Sequence, residues 1–189
     1  HQLSRLCREE NARYIHISTD CVFSGSRGDY IESDFADTND LYGRSKFLGE
    51  VHQPHSVTIR TSTIGHELTT KYGLLEWFLS QKSQCKGFKH AHFSGLPTVE
   101  LARVIRDHVS SNKDLTGLYH VGATSISKYD LLKLIANIYN KDIDIIEEQK
   151  FIIDRSLNSS RFTKKTGYIA PTWPELIQAM YDQHITEGL

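Results

Sequence analysis

The five residues Arg13-Tyr14-Ile15-His16-Ile17 alternate in polarity, carry the β-branched content of a strand held inside a sheet, and run directly into Ser18, Thr19 and Asp20. A buried strand that stops in hydroxyls limits the folds open to this chain. In open parallel α/β sheets the crevice beyond the carboxyl ends of the strands is where ligands bind, so hydroxyls placed there can reach a substrate. Ser56 to Arg60 repeats the pattern and ends in Thr61, Ser62 and Thr63, and Gly117 to Gly122 is a further compact strand between glycines. Helical periods separate these strands, as at Thr98 to Val109, so the expected class is α/β on a parallel sheet.

Asp37 and Asp40 offer N-caps downstream, and the spacing predicts a helix over Leu41 to Val51 with Leu41, Phe47, Leu48 and Val51 as its apolar residues. Tyr42, Lys46 and Glu50 share one face of that helix, because residues four apart are neighbours. A free tyrosine ionises near pH 10, about three units too high for a good acid near neutrality, and each unit is worth about 1.4 kcal/mol. A lysine charge about 4 Å away contributes about 4 kcal/mol at an effective dielectric of about 20, which is the size required. Such a pair can move a proton that neither group moves alone. Gly43 and Gly49 each cost about 1 kcal/mol relative to Ala inside a helix, which predicts a close approach by another part of the chain. A second Tyr-x-x-x-Lys, at Tyr129 and Lys133, follows the N-cap Ser127 on a helix whose Leu131, Leu132, Leu134, Ile135 and Ile138 make a core-facing stripe; it reads as structural.

Three stretches taken jointly carry a resemblance: Ser18-Thr19-Asp20-Cys21-Val22-Phe23-Ser24-Gly25, then Gly28-Asp29-Tyr30 with Glu32 and Asp34, then Tyr42-Gly43, Ser45-Lys46 and Gly49-Glu50. The pattern resembles the extended short-chain dehydrogenase/reductases, and within them the dTDP-4-dehydrorhamnose reductase branch of nucleotide-sugar enzymes. Arg60-Thr61-Ser62, Gly95-Leu96-Pro97-Thr98, Arg155-Ser156 with Ser159, and Trp173-Pro174-Glu175-Leu176 fit that branch as well. The resemblance implies a partial Rossmann-like parallel sheet with a small C-terminal α/β substrate-binding lobe. Residues 1–66 would be the C-terminal portion of the cofactor-binding domain, and 67–189 mainly the substrate lobe, with about 95–122 returning to the Rossmann sheet. It further implies Thr19, Tyr42 and Lys46 as catalytic residues, Ser18, Tyr42, Lys46, Arg60 and Thr61 near the NADPH or NADH cofactor, and Thr19, Asp20, Cys21, Arg155 and Ser159 near the substrate. For Arg60 a structural ion pair is an equal reading.

The implied activity is reduction of a keto group on a nucleotide-activated deoxysugar for polysaccharide precursors, with a homodimer as an admissible assembly. An epimerase or combined epimerase and reductase would use the same Tyr and Lys. A non-catalytic subunit similar to the methionine adenosyltransferase regulatory subunit is the rival of another class. Cys21 departs from the branch, where an aromatic residue is common, and leaves the sugar and its nucleotide open. The Gly-rich turn that grips a dinucleotide is not found either, since Gly25-Ser26-Arg27-Gly28 leads into an Asp-Tyr turn and Gly65 to Gly73 has the wrong spacing. The expectation is therefore a C-terminal part of a reductase, with that loop upstream of His1, which alone binds cofactor poorly or is an inactive fragment.

Composition narrows the remaining classes. A net charge of -1 gives no field for holding nucleic acid or an anionic membrane. No apolar run approaches a membrane span, and Cys7, Cys21 and Cys85 are odd in number and scattered, which points to a reducing cytoplasm. His90 and His92 share a strand face without a third ligand in sequence, so no metal is expected. Trp77 lies in a short apolar helix, Gly73 to Gln81, and reads as core. Phe88 to Phe93 and Ile143 to Ile146 read as short strands, and Pro171 to Met180 as the last helix, with Pro174 in its first turn. Between them Phe151 to Phe162 is rich in donors, among them Arg155, Ser156, Asn158, Ser159 and Arg161, and arginine forks suit diphosphates.

Overall fold

The computed structural model describes residues 1–187, so the last two residues of the lobe expected over 67–189 lie outside the described residues. Its central layer is a three-stranded parallel sheet in the order β1-β2-β6, built from β1 (Tyr14–Thr19), β2 (Ser56–Thr61) and β6 (Gly117–His120). Every residue of β2 is buried, as expected of the middle strand of a covered parallel sheet. The register sets Tyr14 opposite Ser56, Thr19 opposite Thr61, and Arg60 opposite His120. Thr19, Thr61 and His120 therefore end the three strands along one rim.

Helix α1 (Gln2–Glu9) precedes β1, and α2 (Leu41–Leu48) crosses from β1 to β2. Beyond β2 come β3 (Thr63–Ile64), α3 (Leu74–Ser80), β4 (Gln84–Phe93), β5 (Leu96–Pro97) and α4 (Thr98–Val104), which continues as a π-helical turn over Ile105–Ser110 before β6. The last part holds β7 (Ile126–Ser127), α5 (Lys128–Ile138), β8 (Asp144–Asp154), α6 (Ser160–Thr166) and α7 (Trp173–Glu187). Strand β4 lies between β7, antiparallel, and β8, parallel, in a second sheet, while β3 and β5 form a short parallel pair.

One apolar cluster joins these layers. Val57 and Ile59 of β2, Leu75 and Phe78 of α3, Phe93 of β4, Leu131 and Ile135 of α5, Phe162 of α6 and Ile177 of α7 all belong to it. A small second cluster, Val22, Phe23, Tyr30 and Leu157, sits under the loop after β1. There Phe23 and Tyr30 stack at 4.1 Å, Tyr30 N–H donates to the Ser156 carbonyl at 2.9 Å, and Asn158 N–H donates to the Tyr30 carbonyl at 2.8 Å. The loop that follows the first strand is thereby fastened to the segment that follows the last one.

Strand β4 begins at Gln84 rather than Phe88, helix α6 was not expected, and three further elements differ from the sequence expectation. Helix α2 stops at Leu48 rather than Val51, with Gly49 as its C-cap, and its Leu41 and Leu48 are 84% and 70% exposed. The second strand of the outer sheet is eleven residues long, Asp144–Asp154, and takes in the first part of the donor-rich segment. Its length follows β4, whose partners run from Gln84 opposite Asp144 to His92 opposite Asp154, past a bulge between Phe88 and His90. The last helix continues past Met180 to Glu187. Elsewhere Ser127 caps α5 by accepting from the Asp130 N–H at 3.0 Å, and Lys133 and Lys89 lie over the Tyr129 ring at 5.3 and 5.1 Å, so the second Tyr-x-x-x-Lys serves packing.

Candidate active site

Thr19, the last residue of β1, caps a tight 3-10 turn over Asp20–Val22, and its hydroxyl accepts from the Cys21 N–H at 3.1 Å. Helix α2 lies directly on this turn. A Cβ built on Gly43 would stand 2.1 Å from the Cys21 carbonyl oxygen, so only glycine lets the first turn of α2 come this close. Asp40 starts the helix by accepting from the Gly43 N–H at 2.6 Å. Gly49 meets nothing nearer than 3.4 Å, so the close approach expected at both glycines occurs at Gly43 alone.

Tyr42 flanks this contact and is 57% exposed, its phenol on the open side of the helix. One turn later Lys46 reaches the sheet, and its ammonium donates to the Ile17 carbonyl at 2.5 Å. Among the described residues Lys46 makes no ion pair. An ammonium has three N–H donors, so two remain for a ligand.

Behind the strand ends lies a buried polar chain. Arg60 is 3% exposed and donates from Nε and Nη2 to the two carboxylate oxygens of Glu50, each at 2.8 Å. Ser18 gives its hydroxyl hydrogen to Glu50 Oε1 at 2.7 Å. His120, fully buried, faces Arg60 Nη1 through Nε2 at 3.4 Å and donates from Nδ1 to the Tyr30 carbonyl at 2.9 Å. Burial first, and then the Arg60 charge, push His120 down to about 4, so the ring is neutral at pH 7. This geometry gives Arg60 the structural ion pair rather than a ligand contact. Ser18 has no hydrogen left to donate, and Thr61, 2% exposed, turns its hydroxyl to the Ser62 carbonyl at 3.2 Å. Glu50, expected on the helix face with Tyr42 and Lys46, lies past the helix end inside this chain.

The segment just beyond β8 contributes Arg155. Its Nη1 lies 3.4 Å from the Cys21 sulfur and its Nη2 3.7 Å from Asp40 Oδ2, while its Nε is buried without a hydrogen-bond partner. Arg155 thus stands beside Cys21, and its charge acts on Asp20. Ser159 stands apart: its hydroxyl faces the Gly122 carbonyl at 3.5 Å, and it lines a separate cleft of about 660 Å³ with Arg27, Asp29, His92, Asp154 and Ser156. His120 was not among the residues singled out from the sequence, although its place at the end of a strand between glycines was readable.

A family model described as RmlD substrate binding domain matches residues 1–185. The chain belongs to this family. The zebrafish (Danio rerio) methionine adenosyltransferase 2 subunit beta is 27% identical over 155 residues, covering 74% of this chain and 48% of the relative. A dTDP-4-keto-6-deoxy-D-glucose reductase of Streptomyces niveus is 44% identical over 50 residues, 26% of this chain and 17% of the relative. The crystal structure of dTDP-4-dehydrorhamnose reductase from Bacillus anthracis in complex with NADP superposes with a TM-score of 0.77 at 22% identity, covering 94% of this chain and 67% of that one. This RmlD-family chain therefore has the Rossmann-like α/β fold of that structure, and it spans about half the length of the methionine adenosyltransferase relative.

Proposed function

We propose that the protein reduces a keto group on a nucleotide-activated deoxysugar with NADPH or NADH, in the manner of a dTDP-4-dehydrorhamnose reductase. The observation that carries this reading is the seating of Gly43 on the Cys21 carbonyl, which sets the Tyr42 and Lys46 helix against the turn that begins at Thr19. When bound, the nicotinamide supplies hydride to the keto carbon. Tyr42 gives its phenolic proton to the keto oxygen, so the carbonyl becomes an alcohol and the phenolate takes a proton back from solvent. Thr19 offers its hydroxyl to the same oxygen, and the two free donors of Lys46 suit the hydroxyls of a ribose. The guanidinium of Arg155, half-turned toward Cys21, suits the diphosphate of the substrate.

The test is Tyr42→Phe in the protein. Loss of at least a thousandfold in kcat with an unchanged far-ultraviolet circular dichroism spectrum is the expected result. A rate within a few-fold of wild type would overturn the reading. Product analysis with deuterated cofactor separates a reductase from an epimerase, because only the former leaves deuterium in the sugar.

The 155-residue match to a methionine adenosyltransferase subunit favours one second reading, a non-catalytic subunit for a partner protein. The presence of Thr19, Tyr42 and Lys46 together favours the enzyme. We place the reaction in the cytoplasm, supported by three cysteines that form no disulfide, and among the described residues no helix is long and apolar enough to cross a membrane. A homodimer is the assembly proposed.

A further inference from the structure

The Thr19 hydroxyl has one hydrogen and two lone pairs to distribute. One lone pair takes the Cys21 N–H at 3.1 Å, and Asp20 Oδ1 stands 3.1 Å from the same oxygen. If Asp20 is a carboxylate it can only accept, so it draws the Thr19 hydrogen and leaves Thr19 without a donor for a keto oxygen. If Asp20 is a carboxylic acid, its own O–H fills the second lone pair of Thr19, and the threonine hydrogen is released to point elsewhere. We propose that Asp20 is a positioning residue, whose carboxyl proton turns the Thr19 hydroxyl into a donor aimed at the substrate carbonyl.

The surroundings of Asp20 shift its carboxyl toward the protonated form. The residue is 8% exposed, and burial raises its carboxyl above the usual carboxylate range against the opposing pull of Thr19, Cys21, the Arg155 charge and Ser62. Each neighbouring element contributes one of these groups: Thr19 from β1, Ser62 from the end of β2, and Arg155 from beyond β8. The Arg155 guanidinium is turned to Asp40 and the Cys21 sulfur. The Cys21 thiol is itself pushed up, first of all by burial, so it brings no anion to the site at neutral pH. Asp20 becomes the group that sets whether the site is armed, and it does so without touching the reacting atoms.

This inference rests on the reductase reading, and a spectroscopic readout keeps the two separable. In protein labelled with carboxyl-13C aspartate, one signal at pH 7 should have the shift of a protonated carboxyl, titrate at higher pH, and vanish in Asp20→Asn. Absence of such a signal in the wild type overturns the proposal without any variant. In turnover, wild-type kcat/KM should fall as pH rises through the midpoint of that signal. Asp20→Asn, whose amide N–H can still fill the Thr19 lone pair, should lose that fall. Asp20→Ala should lie at least tenfold below Asp20→Asn in kcat, with KM changed less than threefold. A fall in Asp20→Asn identical to wild type, or equal kcat in the two variants, would refute the assignment. The labelled signal in a protein that reduces no keto sugar upholds the hydrogen-bond arrangement and overturns the reductase reading alone.

Discussion

A methyl group on Gly43 would sit 2.1 Å from the Cys21 carbonyl oxygen and 2.9 Å from Thr38 Cγ2, a contact that can be relieved only by moving α2 off the Thr19 turn. Gly43→Ala should therefore cost about 1–3 kcal/mol as overpacking, despite the better helix propensity of alanine, and urea denaturation at pH 7 measures it. A stabilised variant would show that the two elements are not in contact. His120 carries a second prediction. Its folded value of about 4 lies below the free imidazole value of about 6.5, so the unfolded chain takes the proton more readily. The contribution is complete above about pH 6.5, declines as pH falls, and is gone below about pH 4, a total of about 3 kcal/mol. His120→Asn should flatten the dependence of the urea midpoint on pH between those limits. An unchanged slope would place the titration elsewhere.

At the scale of elements, α2 is held by few apolar contacts, since Leu41, Tyr42 and Leu48 all face outward. What fixes it is polar and local: the Asp40 cap, the Lys46 bond to the Ile17 carbonyl, and Glu50 just beyond its end, clamped by Arg60. Removing one partner of a buried, bidentate ion pair leaves a charge uncompensated, so Glu50→Ala should destabilise the fold by about 3–5 kcal/mol in chemical denaturation. Ser18 would lose its acceptor at the same time. A cost below 1 kcal/mol would show that the pair is exposed in solution. The position of this helix was legible in its cap and in the Tyr-x-x-x-Lys spacing. Its end was not, because Glu50 continues the helical period while its carboxylate is drawn to Arg60 by tertiary pairing.

In the whole molecule, the main apolar cluster draws on β2, β4, α3, α5, α6 and α7, and backbone bonds tie Tyr30, in the loop after β1, to Ser156 and Asn158, in the segment after β8. Parts that share one core lose it together, so thermal unfolding should be a single transition that coincides in near- and far-ultraviolet circular dichroism. Two resolved transitions would mean that the outer sheet folds by itself. Every helix but α6, the strands other than the short β3, β5 and β7, the hydroxyl-ended β1, the Tyr42 and Lys46 helix and the family itself could be read from local patterns, because periodicity and caps are encoded within a few residues of the chain. Tertiary structure alone decided that β8 would run eleven residues beside β4, that Arg60 would pair with Glu50, that His120 would lie between Arg60 and Tyr30, and that Arg155 would join the Thr19 turn while Ser159 lines another cleft. Those outcomes depend on which distant groups must share a buried volume and satisfy one another there, and no spacing along the sequence specifies such partners.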